Sequence, residues 1–173
     1  MASSILAKFS PFVKDFSATE GKLRLDKLKE DYGGVIGLPN TENLIATSTW
    51  KDPVLMLGFF QFNPYAQYPI GSKEAQENPT PSDEKVYTER YGNASIKQVL
   101  RTGAYPAVLS RTIATVIRSK EIHAIEDQLW HEISIVFFPS RMHFVGMTTD
   151  PSYSPHFYHR QAALKAGFVI PMW

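Results

Sequence analysis

The chain has no cysteine among its 173 residues. That one absence excludes disulfides, thiolate nucleophiles and cysteine–zinc sites, and it fits a cytoplasmic protein. Charge is not in excess either: 18 Lys and Arg stand against 17 Asp and Glu, a net +1. Such a balance gives no footprint for nucleic acid or an acidic membrane. No apolar run approaches the roughly 20 residues that span a bilayer. Gly-x-Gly-x-x-Gly, Gly-x-x-x-x-Gly-Lys-Ser/Thr and Gly-x-Ser-x-Gly are all missing, so nothing points to a nucleotide, a flavin or a serine hydrolase. No proximal haem ligand can be picked out. The expectation is a protein without a cofactor whose partner is a small molecule.

What is present is an ordinary globular composition, 43% hydrophobic and 20% charged, long enough for one domain with a real core. Residues 1–50 read as a helical arm and 51–173 as the main domain. In the arm, Ile5, Leu6, Phe9, Phe12, Val13 and Phe16 fall on one helical stripe. It serves as a lid, as an arm on a partner subunit, or as a helix packed on its own domain. Residues 23–32 alternate charges with leucines and predict a short, largely solvated helix ended by Gly33-Gly34. Asn40 or Thr41 caps a helix through Thr47 that buries Leu44 and Ile45.

The main domain starts with an apolar strand over 54–62, continuous enough to predict that both faces are covered. Residues 63–81 are rich in Pro and Gly without periodicity, either a lid or a disordered insert. Ser82 caps a helix that runs to about Thr102 and stops at Gly103. Strands are predicted over 107–117 and 130–138. Pro139 ends the latter and Ser140 caps a short helix that stops before Asp150-Pro151. A helix over 161–166 and a strand over 168–170 close the chain.

Four of the five histidines lie between residues 131 and 159. Histidine titrates near neutrality, so His131 and His159 are candidate acid–base groups. Alternation puts His131 with Ile133, Ile135 and Phe137 on one face, and Glu132 with Ser134, Val136 and Phe138 on the other. Whichever face borders a cavity decides between the two. His156 and His159 are three apart but lack a third ligand at familiar spacing, so no metal site is expected. Arg111 and Arg160 are candidate clamps for a carboxylate or enolate. Tyr91 and Tyr153 offer phenol donors, and Met56, Gly58, Phe60 and His156 complete the expected lining. Glycine within an apolar strand commonly marks a close approach, so volume is expected over Gly58.

The series Trp130…Phe138-Pro139-Ser140-Arg141…Phe144…Met147…Asp150-Pro151…Tyr153…His159-Arg160 resembles a small family of the dimeric α/β-barrel superfamily. These are ferredoxin-like dimers that include EthD-like proteins and antibiotic-biosynthesis monooxygenases. Pro53-Val54-Leu55-Met56-Leu57 and Tyr87…Arg90-Tyr91-Gly92 agree with that family's first strand and first helix, so the resemblance covers residues 41–173. It implies an α+β fold, an antiparallel sheet with helices on one face, and a homodimer that buries the other face. Phe59, Phe60, Ile135 and Phe137 are candidates for one or other face. It also implies cofactor-independent proton-transfer chemistry of the cyclase, isomerase or lyase type on a small hydrophobic, polyketide-like intermediate. A non-catalytic binding dimer and a cofactor-free monooxygenase are the alternatives. The chain departs from the pattern where the family has Asn at Gly58, Asp at His131 and Tyr at Phe138, and in its long N-terminal segment.

Overall fold

A computed structural model of the chain describes residues 13–33, 44–45, 47–77, 81–112 and 130–172. Ser17 caps the first helix, its hydroxyl accepting from the Glu20 amide. That helix, α1 (Ala18–Tyr32), starts a turn and a half before the predicted residue 23, because the Ser17-x-x-Glu20 signal sits upstream of the leucines. Most of its positions are exposed, as expected, Leu23 among them, but Leu25 and Leu28 are buried in the same core as the main domain. Trp50 ties the segment down, donating from Nε1 to the Phe16 carbonyl at 2.8 Å and meeting the Phe16 ring edge-on. Of the apolar stripe predicted upstream, positions 5–12 lie outside the described residues.

The sheet has four strands: β1 (Val54–Phe62), β2 (Tyr105–Arg111), β3 (Glu132–Phe138) and β4 (Leu164–Met172). The order is β2-β3-β1-β4, and every pairing is antiparallel. That order is consistent with a ferredoxin-like α+β fold. Between β1 and β2 runs α2, a helical stretch made of Asp83–Val86, a π turn over Tyr87–Gly92, and Asn93–Arg101. Ser82 caps it as expected, accepting from the Lys85 amide, and Gly103 follows with φ +74°. Between β3 and β4 come α3 (Arg141–Thr148) and α4 (Phe157–Ala163). The helix expected over 161–166 lies earlier, because Leu164 is taken into the ladder opposite Phe62. The segment 113–129, on which part of the 107–117 strand was expected, lies outside the described residues.

The two faces of β1 differ. Val54, Met56, Phe60 and Phe62 are buried, and Phe60 and Phe62 pack on Tyr87 of α2. Leu55, Leu57 and Phe59 are only half-buried, so the strand is not covered on both sides as its composition predicts. The ladder continues this second face through Ile133, Ile135 and Phe137 of β3 and Phe168, Ile170 and Met172 of β4. Phe59, Trp130 and Phe168 cluster there, with ring centroids 5.0–5.8 Å apart.

Met142 and Val145 of α3 are buried, and so are Arg141 and His143. Ser140 stabilises the start of α3 twice, accepting from the His143 amide and placing its hydroxyl 2.7 Å from His143 Nδ1. Burial, with Lys51 in the same direction and Asp15 opposing, pushes the His143 imidazole below its ordinary 6.5. A depressed histidine gives stability that is present above 6.5 and lost as pH falls through the folded value. His143→Gln is therefore expected to flatten the fall in melting temperature between about pH 7.5 and about pH 5.5. Thermal unfolding of both proteins across that range measures it, and parallel curves would remove His143 as the cause.

Candidate functional site

The residues expected to line one pocket occupy three separate places. The first is the helix–sheet interface. Met56, Phe60, Tyr91 and Tyr153 are all buried there. Tyr91 and Tyr153 hydrogen-bond to each other through their hydroxyls at 2.7 Å, and Arg160 lies over the Phe60 ring at 5.6 Å. The volume expected over Gly58 is occupied. A Cβ on Gly58 would stand 2.6 Å from Phe60 Cζ and 2.8 Å from Ser134 Oγ, and one on Gly167 would stand 3.2 Å from Phe60 Cδ1. The two glycines face each other's strands to admit the Phe60 ring, so packing explains Gly58 without a ligand.

The second place is the start of β3. Register pairs Glu132 with Phe60 and Ser134 with Gly58, so the Glu132 face is the one that the helices cover. Burial pushes the Glu132 carboxyl up, with Arg111 opposing. The His131 ring stacks on Phe62, and its Nδ1 accepts the Phe62 amide at 3.0 Å. The basic nitrogen is thereby engaged, and Nε2 carries the proton as a donor. The acid–base group expected from the sequence thus has its Nδ1 held by the backbone. Arg111 is ion-paired with Glu84 at 2.7 Å on the surface. Asp83, beside this cluster, is 3% exposed with Oδ2 unpartnered, and burial raises its pKa.

The third place joins the 63–77 segment to α2 and α4. The segment is pinned to the domain: Asn63 donates to the Ala163 carbonyl and Gln67 to the Ala162 carbonyl, the latter at 2.7 Å. That arrangement seats Tyr68 against Tyr158 and His159. The Tyr68 hydroxyl lies 2.9 Å from His159 Nδ1 and receives a hydrogen bond from Arg90 NH1 at 3.3 Å. Arg90 NH2 holds Glu77 at 2.5 Å. The guanidinium has no acceptor to offer. The phenol oxygen therefore accepts from Arg90 while facing His159 Nδ1, and the direction of that second bond is set by the imidazole tautomer. Burial, reinforced by Arg90 and His156, pushes His159 below the ordinary histidine value. Burial raises Tyr68 while Arg90 opposes it. The Arg90 hydrogen bond lowers Glu77, and Glu77 in turn raises Arg90. His156, 6.2 Å from His159 between ring centroids, continues the cluster toward the surface.

No family model matches this chain, and no curated protein matches it. Two solved structures share its fold. One is RPA0582, a protein of unknown function from Rhodopseudomonas palustris, at TM-score 0.63 and 22% identity over 80% of this chain and 94% of that one. The other is methylated RPA0582, at the same TM-score and identity, over 80% and 92%.

Of the residues singled out in the sequence, His159 and His156 belong to the third cluster, and Arg160 faces the first. Arg111, His131 and Glu132 stand together in the second. Tyr68 and Glu77 were missed, and Arg90 entered only as part of the resemblance. Nothing local flags Tyr68, whose partner lies 91 residues further on. Among the described residues, no three His, Asp or Glu side chains converge as a metal site.

Proposed function

We propose that the protein is a cofactor-independent acid–base enzyme in which Arg90, Tyr68 and His159 form a proton relay. The observation that supports this reading is the contiguity of guanidinium, phenol and imidazole, with the Tyr68 oxygen accepting from Arg90 and lying 2.9 Å from His159 Nδ1; the reading assigns the phenol as donor to that nitrogen. When a substrate C–H or O–H bond breaks, its proton bonds to the Tyr68 oxygen as the phenol proton passes to Nδ1. The imidazolium then holds the proton, and the Arg90 charge stabilises any phenolate character that develops. Return of the proton to a different substrate atom completes an isomerisation, and loss of a leaving group completes an elimination. The lowered His159 keeps the imidazole neutral and the raised Tyr68 keeps the phenol protonated; both shifts oppose transfer between them, so the incoming substrate proton and the Arg90 charge drive it. The base is thereby assigned to His159, not to His131, whose Nδ1 is already bonded.

Incubation with small aromatic acids, quinones and polyketide-like phenols, followed by mass spectrometry, tests the reading. Conversion of at least one without added cofactor is expected; binding of several with conversion of none would favour a carrier of small molecules.

The enzyme is proposed to work as a homodimer, in keeping with the resemblance to dimeric α/β barrels. The support is the half-open apolar face of the sheet, where Phe168 and Ile170 are more than 40% exposed. Light scattering should give twice the 19.6 kDa chain mass, and Ile135→Asp should halve it. A chain-sized mass for the wild type at micromolar concentration would refute the dimer.

A further inference from the structure

Tyr68 and Glu77 sit on one connecting segment, whereas Arg90 and His159 sit on α2 and α4. The cluster is therefore assembled from two parts. The near end of the segment is fixed by backbone bonds, Asn63 and Gln67 donating to α4 and Ala66 to the Pro81 carbonyl. Beyond Tyr68 the character changes. The backbone hydrogen bonds of 69–77 close within the segment: the Ser72 amide donates to Pro69, Gln76 to Lys73 and Glu77 to Glu74. Ile70 is fully exposed, so it has no packing to lose when this stretch moves. Gly71 holds φ +86°, with no atom within 4 Å of where a Cβ would stand. Arg90 holds the stretch down from α2, giving NH2 to Glu77 at its far end and NH1 to Tyr68 at its near end. It does so from the π turn, a rare geometry that is frequent at functional sites. The Arg90 and Glu77 side chains are 29% and 36% exposed, so their pair is within reach of salt.

The phenol oxygen is covered in this arrangement. Tyr68 is 9% exposed. Grooves of about 650 and about 430 Å³ both have Arg90 in their lining, but neither is lined by Tyr68 or His159. Burial leads the rise of the Tyr68 phenol, and Glu74 and Glu77 add to it from the segment itself.

We propose that residues 69–77 are a gating strap latched by the Arg90–Glu77 pair. The strap lifts when Arg90 releases Glu77, uncovers the Tyr68 oxygen for a substrate, and closes again when one guanidinium recovers both ends. Closure sets Arg90 against Tyr68, so the relay is complete only with the strap down. What the strap admits rests on the acid–base reading, whereas its opening does not.

The experiment needs no substrate. Tyrosine-labelled protein is titrated with a neutral gadolinium chelate, and the NMR relaxation enhancement of each ring reads its access to solvent. Tyr65, 60% exposed, sets the open limit and Tyr153, 2% exposed, the closed one. Tyr68 is expected near the closed limit in about 0.05 M salt. Raising the salt to about 1 M, or Glu77→Gln at low salt, should increase its enhancement by about 1.5- to 5-fold, the range for a partly exposed ion pair. The two together should do no more than either alone, and Tyr153 and the melting temperature should hold. A Tyr68 as accessible as Tyr65 from the outset would overturn the inference. So would a Tyr68 unmoved by Glu77→Gln, or one that rises only together with Tyr153, which is loosening of the whole domain. The two readings fail separately. Exposure of Tyr68 by Glu77→Gln, with wild-type turnover in Tyr68→Phe, removes the relay and leaves the strap. No exposure by Glu77→Gln, with turnover lost in Tyr68→Phe, removes the strap and leaves the relay.

Discussion

Tyr68→Phe is expected to cut turnover by about 10²–10⁴-fold, the usual contribution of a positioned acid–base group. The substitution deletes one oxygen and keeps the ring. Contacts with Tyr158 at 5.2 Å and with His159 at 5.9 Å survive. The fold should lose about 1 kcal/mol, the net worth of a hydrogen bond. What disappears is the link between Arg90 and His159 Nδ1, which runs through the Tyr68 oxygen. Arg90→Lys should be nearly as damaging. One guanidinium spans Glu77 and Tyr68 through two different nitrogens, and an ammonium is a single point. Circular dichroism and thermal unfolding establish that each variant is folded before rates are compared. A folded Tyr68→Phe with wild-type turnover would take the phenol out of the proton path.

The second large effect is on stability. Gly58→Asn should destabilise the protein by about 1–3 kcal/mol through overpacking, lowering the melting temperature by about 2–4 °C for each kcal/mol in a chain of this size. The new Cβ would fall 2.6 and 2.9 Å from atoms of the Phe60 ring. That ring has little room to withdraw, with Gly167 behind it, Tyr87 at 5.4 Å and Arg160 at 5.6 Å. Phe60→Leu in the same chain should recover part of the loss, since neighbours that share one space are not additive. Differential scanning calorimetry of the two single variants and the double variant gives the coupling. If Gly58→Asn alone left the melting temperature unchanged, the space over Gly58 would be open after all.

Several elements could be read from local chemistry. The bounds of β1 follow from its apolar run, and Ser82 and Ser140 announce their helices because a hydroxyl satisfies the same amide wherever the chain places it. Gly103 ends α2 because a positive φ is easy for glycine. Tertiary contacts decided the rest. Residues 161–166 have a helical composition, yet Leu164 is extended because pairing with Phe62 outweighs propensity. The apolar content of β1 does not distinguish a face covered by helices from one left half-open. At the site, histidine spacing singled out His156 and His159 but not their neighbours. Tyr68 reaches His159 because Gln67 and Asn63 bond to the end of α4, which is a matter of fold and not of local pattern. Alternation described the two faces of β3 from Glu132 onward, but it put His131 with Ile133, whereas the ring turns to stack on Phe62 and its Nδ1 meets the Phe62 amide once the register is set.

The most direct test of the relay needs no substrate. Long-range proton–nitrogen NMR of the histidine-labelled protein reports which ring nitrogen carries the proton and where each imidazole titrates. His159 should show Nδ1 as an unprotonated acceptor at neutral pH, with a midpoint below the ordinary 6.5. In Tyr68→Phe the Nδ1 signal should lose its hydrogen-bond shift. A protonated Nδ1 at neutral pH would reverse the direction of the chain from Arg90 through Tyr68 and contradict the proposed mechanism.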